Sequence, residues 1–141
     1  MDLALFTLGG FAAFLLLLAL LLAWVLGVTL FHPGGALAAR LADRSDIVRS
    51  HIDFLMMAQF LFIFFLAFKQ FAIAPPIPIL ACLCFGAFFN PFAFALRGLL
   101  GRPAPPPKEA FPITAIVSFG ATTIGFLGAA ALIVSAAWKG L

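Results

Sequence analysis

LALFTLGGFAAFLLLLALLLAWVLGVTLF, residues 3–31, runs from Leu3 to Phe31 without one charged side chain. A helix needs about 20 apolar residues to cross the hydrocarbon core of a bilayer, and this stretch exceeds that. Three more uncharged stretches follow: Phe54 to Phe68, Phe71 to Leu96 and Ala110 to Trp138. Only the Phe54 stretch is short, and it reaches membrane length if Arg49 and Lys69 snorkel at its two ends. The expected fold is therefore all-α and integral to the membrane, a four-transmembrane-helix bundle with spans near 3–31, 46–70, 76–99 and 110–139. The chain reads as a single membrane domain, residues 1–141.

Composition agrees. Hydrophobic residues make up 65% of the chain and charged residues 9%, with a mean hydropathy of +1.23; soluble domains carry about a quarter charged residues. The first stretch is too long for a signal peptide, lacks a preceding Lys or Arg, and ends at Phe31-His32-Pro33 rather than at a small-residue cleavage site. It reads as a retained, lipid-facing helix. The connections are too short for a second domain, so any chemistry lies in the membrane or just outside it. The net charge of +3 is scattered over loops and helix ends, which excludes nucleic acid as a partner. Arg40, Arg44, Arg49, Arg97, Arg102 and Lys108 flank the first and third connections, against Lys69 and Lys139 at the other face. By the positive-inside rule both termini lie outside and the charged loops in the cytoplasm.

Local signals refine the spans. Gly34 and Gly35 after Pro33 break the first helix, and Ala36 to Asp43 suits a short interfacial turn. Ser45 or Asp46 is placed to cap the second span. Pro75, Pro76 and Pro78 announce the third, since a first turn tolerates missing amide hydrogens. Near its far end, Pro91 cannot donate to the carbonyl of Ala87, which predicts a bend and a freed carbonyl, with the Asn90 side chain the nearest polar group. In the fourth span Ser118, Thr122, Gly125 and Ala129 recur at three- and four-residue intervals, with Gly120, Thr123 and Gly128 nearby, and predict a close packing face.

The second span is chemically the richest: Arg49, Ser50, His51, Ile52, Asp53, Phe54, Leu55, Met56, Met57, Ala58, Gln59. Arg49 and Asp53 share a helical face and are expected to pair; His51 lies nearly opposite, in line with Leu55, Ala58 and Phe62. A neutral imidazole at position 51 offers one lone pair to a metal or haem iron while its other nitrogen needs an acceptor. The plainer alternative is an interfacial ring satisfied by headgroups and water. Asp53 is a candidate proton acceptor as well as a structural partner of Arg49. Gln59, the deepest polar side chain of this span, is positioned to hydrogen-bond across the bundle. Met56, Met57, Cys82 and Cys84 read as packing residues, and the two cysteines, one residue apart, point to different sides. His32 reads as a solvated loop residue. Tyrosine is absent, as are a catalytic triad, a phosphate-binding loop and an intramembrane carboxylate dyad, so ordinary hydrolytic and phosphoryl chemistry lacks its residues.

Arg49-Ser50-His51 near the start of the second span and Gly86-Ala87-Phe88-Phe89-Asn90 in the third resemble the small four-helix bacterial membrane isomerases that include styrene oxide isomerase and hydroxylaminobenzene mutase. The resemblance covers about residues 45 to 138. It implies a homo-oligomer, a trimer, that binds haem b with His51 as axial ligand to the iron. Asn90 would line a pocket for a small hydrophobic substrate such as an aryl epoxide. Three polar positions of the family fall on Met57, Gly86 and Phe94 here, so Gln59 and Asp53 would have to stand in for catalytic partners, or the scaffold persists without the reaction. Two further classes fit the composition: a non-catalytic subunit docking through the small-residue face of the fourth span, and, with fewer midplane polar groups than usual, a small transporter or channel.

Overall fold

The computed structural model describes residues 3–101 and 113–140, all helices and short turns. Its elements are α1 (Leu3–Phe31), α2 (Ala36–Arg40), α3 (Arg44–Gln70), α4 (Ile77–Leu100) and α5 (Ile113–Lys139). At 1.5 Å per residue the four long helices measure about 36–43 Å, more than the ~30 Å hydrocarbon core. All four are long and apolar enough to cross a membrane. The expected interfacial turn is the one-turn helix α2. Most of the proline-rich connection from Gly101 to Pro107, and the expected start of the fourth span at 110, lie outside the described residues.

Each interface is an antiparallel seam. On α1, Leu5, Leu8, Ala12, Leu15 and Ala19 are at most 7% exposed; their alternating three- and four-residue spacing is the heptad pattern of left-handed packing. They meet Phe54, Ala58, Leu61 and Phe68 of α3 in one core. The first helix, expected to be a lipid-facing strut, is thus an integral half of the α1–α3 seam, with its other face exposed. α3 pairs in turn with α4, and α4 with α5. A Cβ on Gly86 would collide with the Thr122 side chain and come within 2.7 Å of its Cα, and one on Gly125 would lie 2.6 Å from the Leu83 backbone nitrogen. The backbones of α4 and α5 touch there, as the small-residue spacing of the fourth span predicts: Ser118, Gly125 and Ala129 are buried, whereas Gly120 and Thr123 face outward.

The four helices form an open row rather than a closed bundle. On α4, Phe88 stacks on Phe14 of α1 at 6.3 Å, while Asn90 bonds to α5. Two residues are about 200° of helical turn, so α1 and α5 flank the central α3–α4 pair from opposite sides. No interface like the three seams joins α1 to α5 among the described residues.

The ends are set by local chemistry. α3 starts at Arg44, capped by Asp43, whose carboxylate accepts from the Ser45 and Asp46 amides at 2.9 and 3.4 Å. This displaces the expected cap from Ser45 or Asp46 and frees Asp46 for another role. At the other end, Ile73 N–H bonds to Phe68 C=O and Ala72 N–H to Lys69 C=O, the paired bonds of a Schellman turn. Ala72 occupies its left-handed position with φ 50°, a conformation glycine adopts without penalty. α4 opens with Pro76 as cap and Pro78 in its first turn, and it continues as helix through Pro91.

Gly86→Ala and Gly125→Ala should each destabilise the protein by about 1–3 kcal/mol through overpacking. Gly120→Ala, where a new Cβ meets nothing within 4 Å, should be neutral or stabilising by up to ~1 kcal/mol. Unfolding midpoints of the detergent-solubilised variants check the opposite signs.

Candidate functional site

Two adjacent pairs, Ser50-His51 on α3 and Asn90-Pro91 on α4, organise a single polar layer that links all four long helices. Adjacent residues on a helix point about 100° apart, so each pair reaches two neighbours. The Ser50 hydroxyl, fully buried, donates to the Pro91 carbonyl at 2.8 Å and ties α3 to α4. His51 Nδ1 lies 2.8 Å from the Ala19 carbonyl and ties α3 to α1. A carbonyl can only accept, so Nδ1 carries the proton and the lone pair of the neutral ring sits on Nε2.

Asn90 ties α4 to α5. Its Nδ2 donates to Thr122 Oγ1 at 2.8 Å, and its Oδ1 accepts from the Ser118 hydroxyl at 2.5 Å. Thr122 passes its own proton to the Ser118 carbonyl at 2.8 Å. Both ends of the amide are therefore engaged on α5, and the expected role of Asn90 at the Ala87 carbonyl is not what this structure shows. Shape explains the change: Gly86 lets Thr122 come close enough to offer Asn90 a better-aligned partner on the next helix.

The sequence-derived candidates do not converge. His51 faces α1. Asp53, two residues on, lies about 200° around α3, on the stripe that continues to Phe60 and Phe64, whose rings meet Phe126 of α5 at 5.7 and 5.3 Å. Gln59 is exposed on the outer side of α3 and makes no hydrogen bond within the described residues, so it does not reach across the row as expected. Phe88, Phe89 and Phe92 cluster on one face of α4, with ring centroids 5.0 to 6.4 Å apart, and Phe89 is 42% exposed, whereas Phe94 lies apart from them, under the Arg97 guanidinium at 5.4 Å.

Beneath the charged ends lies an ion cluster. Asp46 is fully buried, with Arg97 Nη2 at 3.2 Å from Oδ2 and Arg49 Nη1 at 4.0 Å from Oδ1. Arg49 thus turns back toward Asp46, where two cations share one carboxylate, and its expected contact with Asp53 is not among the ion pairs of the described residues. Backbone bonds reinforce the junction, the Ala42 and Asp43 amides both donating to the Gly98 carbonyl at 2.9 and 3.0 Å. A Cβ at Gly98 would press on the Ile47 side chain and come within 3.0 Å of the Asp43 carbonyl oxygen, so a larger residue there would force the Ile47 side chain to shift.

Of two cavities, one of about 310 Å³ lies between α1 and α4, lined by Thr7, Leu8, Ile77, Leu80, Ala81 and Cys84. The other is an open hollow at the end of α3 around Lys69 and Phe71. Neither is lined by His51. Cys84 faces α1, whereas Cys82 lies along the Gly125 contact with α5, and both thiols are free. Ser50 and the Ala19 carbonyl are members of the layer that residue chemistry alone did not single out, and Asp46, read as a helix cap, is instead the buried carboxylate of the cluster. The position of Ser50 on the buried stripe Ile47, Ser50, Phe54 was the available signal.

Compared with protein-family models, curated proteins and solved structures, the chain shows no match.

Ser50→Ala and Asn90→Leu should each cost about 1 kcal/mol, the scale of interhelical hydrogen bonds in membranes. Arg97→Met should cost more, on the order of 2–3 kcal/mol, because it strands a buried carboxylate. Adding Asp46→Asn to Arg97→Met should recover most of that loss in unfolding measurements.

Proposed function

We propose that the chain is a multi-pass protein of the bacterial inner membrane that binds haem b through Nε2 of His51 and isomerises a small hydrophobic molecule, of the aryl epoxide class, drawn from the bilayer. The observation that carries this reading is the 2.8 Å hydrogen bond between His51 Nδ1 and the Ala19 carbonyl. A second partner of this kind is what fixes the tautomer and aims the other nitrogen of a ligating histidine. His51 would therefore hold the iron of haem through Nε2. When bound, ferric haem would supply a Lewis acid for an epoxide oxygen. The α1–α3 seam holds the half-buried imidazole in orientation through the Ala19 carbonyl. Asp53, Gln59 and Asn90 face other directions within one chain. As catalytic partners they would have to come from a neighbouring copy, in keeping with the homo-oligomer, a trimer, that the resemblance implies.

A second reading is a non-catalytic subunit of a larger membrane complex. It is favoured by the way Asn90, Ser118 and Thr122 satisfy one another while Ser50 bonds to the Pro91 carbonyl, which gives the layer a purely structural use.

Visible spectra separate the two. Protein purified in mild detergent after expression with supplied haem should show a Soret band that shifts on reduction and falls to background in His51→Ala. A flat spectrum in the unaltered protein, or full haem content in His51→Ala, would transfer the assignment to the subunit reading.

A further inference from the structure

Ile52, Met56, Gln59, Ile63 and Leu66 recur on α3 at spacings of four, three, four and three. That is a heptad seam, and it lies about 200° from the seam of Phe54, Leu61 and Phe68 that packs inside the row. Its four apolar members are 48%, 41%, 57% and 59% exposed. α3 is thus a two-sided helix, with one seam filled by its own chain and the other bare.

Gln59 marks the centre of the bare seam. It stands fifteen residues after the start of α3 and eleven before its end, and its amide makes no hydrogen bond to the described residues. Acyl chains can cover isoleucine and leucine, but they offer nothing to a primary amide at mid-span, where an unpaired polar group is costly. The partner must therefore bring a donor and an acceptor to that depth. A second copy of the chain does so by symmetry. Inserted the same way up, it presents its own α3 in parallel, and rotation about an axis along the membrane normal sets Gln59 beside Gln59. The amide is self-complementary: the carbonyl of each accepts from the N–H of the other. One polar residue in an apolar heptad seam also fixes register.

We propose that the Ile52–Leu66 face of α3 is the interface between copies of this chain, with Gln59 hydrogen-bonding across it. The proposal rests on the membrane-inserted reading and is independent of haem at His51.

Single cysteines placed in a Cys82→Ala/Cys84→Ala background test it by oxidative cross-linking in native membranes, beside alkaline carbonate extraction of the same membranes. Ile52→Cys, Met56→Cys, Ile63→Cys and Leu66→Cys should form disulfide-linked pairs. Ile124→Cys and Leu127→Cys, on the equally exposed face of α5, should not. In detergent, Gln59→Leu should weaken self-association about tenfold, while Gln59→Asn retains it. Carbonate-resistant protein with no α3 cross-links, or with equal cross-linking on α5, overturns the interface alone, as does association unaffected by Gln59→Leu. Release of the protein by carbonate overturns the membrane reading and the interface with it.

Discussion

The hydrogen bond from Ser50 to the Pro91 carbonyl sets the register on which the other helices depend. It crosses the central α3–α4 pair at a point where both residues are fully buried, and the Asp46–Arg97 pair and the Gly98 contact repeat the same register nearer the charged end. With α3 and α4 locked, the neighbours of Ser50 and Pro91 are aimed without further cost. His51 is turned to α1 and Asn90 to α5. Two adjacent dipeptides thereby connect four helices, a compact use of polar groups in a chain that has few to spend. Within a bilayer, lipid would give no hydrophobic drive for helix association, and close packing and such bonds would have to supply it.

The position of the layer matters for chemistry. Ser50 lies six residues inside the start of α3, roughly 9 Å along the axis, deep enough to be shielded yet close to the charged loops. The Nε2 lone pair of His51 takes no part in the layer's own hydrogen bonds. A serine hydroxyl or an asparagine amide already engaged on both sides is poorly placed to bind a guest, whereas an imidazole with one nitrogen anchored is well placed.

Features governed by local periodicity were legible in the sequence. The four spans followed from hydropathy, the α5 packing face from Ser118, Gly125 and Ala129, and the opposition of His51 to Arg49 and Asp53 from the helical repeat. Partner identity was not legible. Asp46 and Arg97 are far apart in sequence, and nothing in either span says that Arg49 should turn toward Asp46 when Asp53 is equally near along the helix. The direction of Gln59 illustrates the limit well. α3 carries two heptad seams, and sequence alone does not say which one its own chain fills. Asn90 was read as the nearest polar group for the Ala87 carbonyl, but its partners lie on α5, where Gly86 lets Thr122 come close.

The staggered placement of α1 and α5 on opposite flanks of α3–α4 leaves the row without an inside. Every long helix keeps one face turned outward, and among the described residues no ring of helices surrounds an axis. A barrel or a closed bundle can hold a water-filled lumen along its own centre; a folded screen of helices cannot. Solute passage through a bilayer, were this scaffold ever used for it, would have to run between chains, with the walls of the path contributed by different copies.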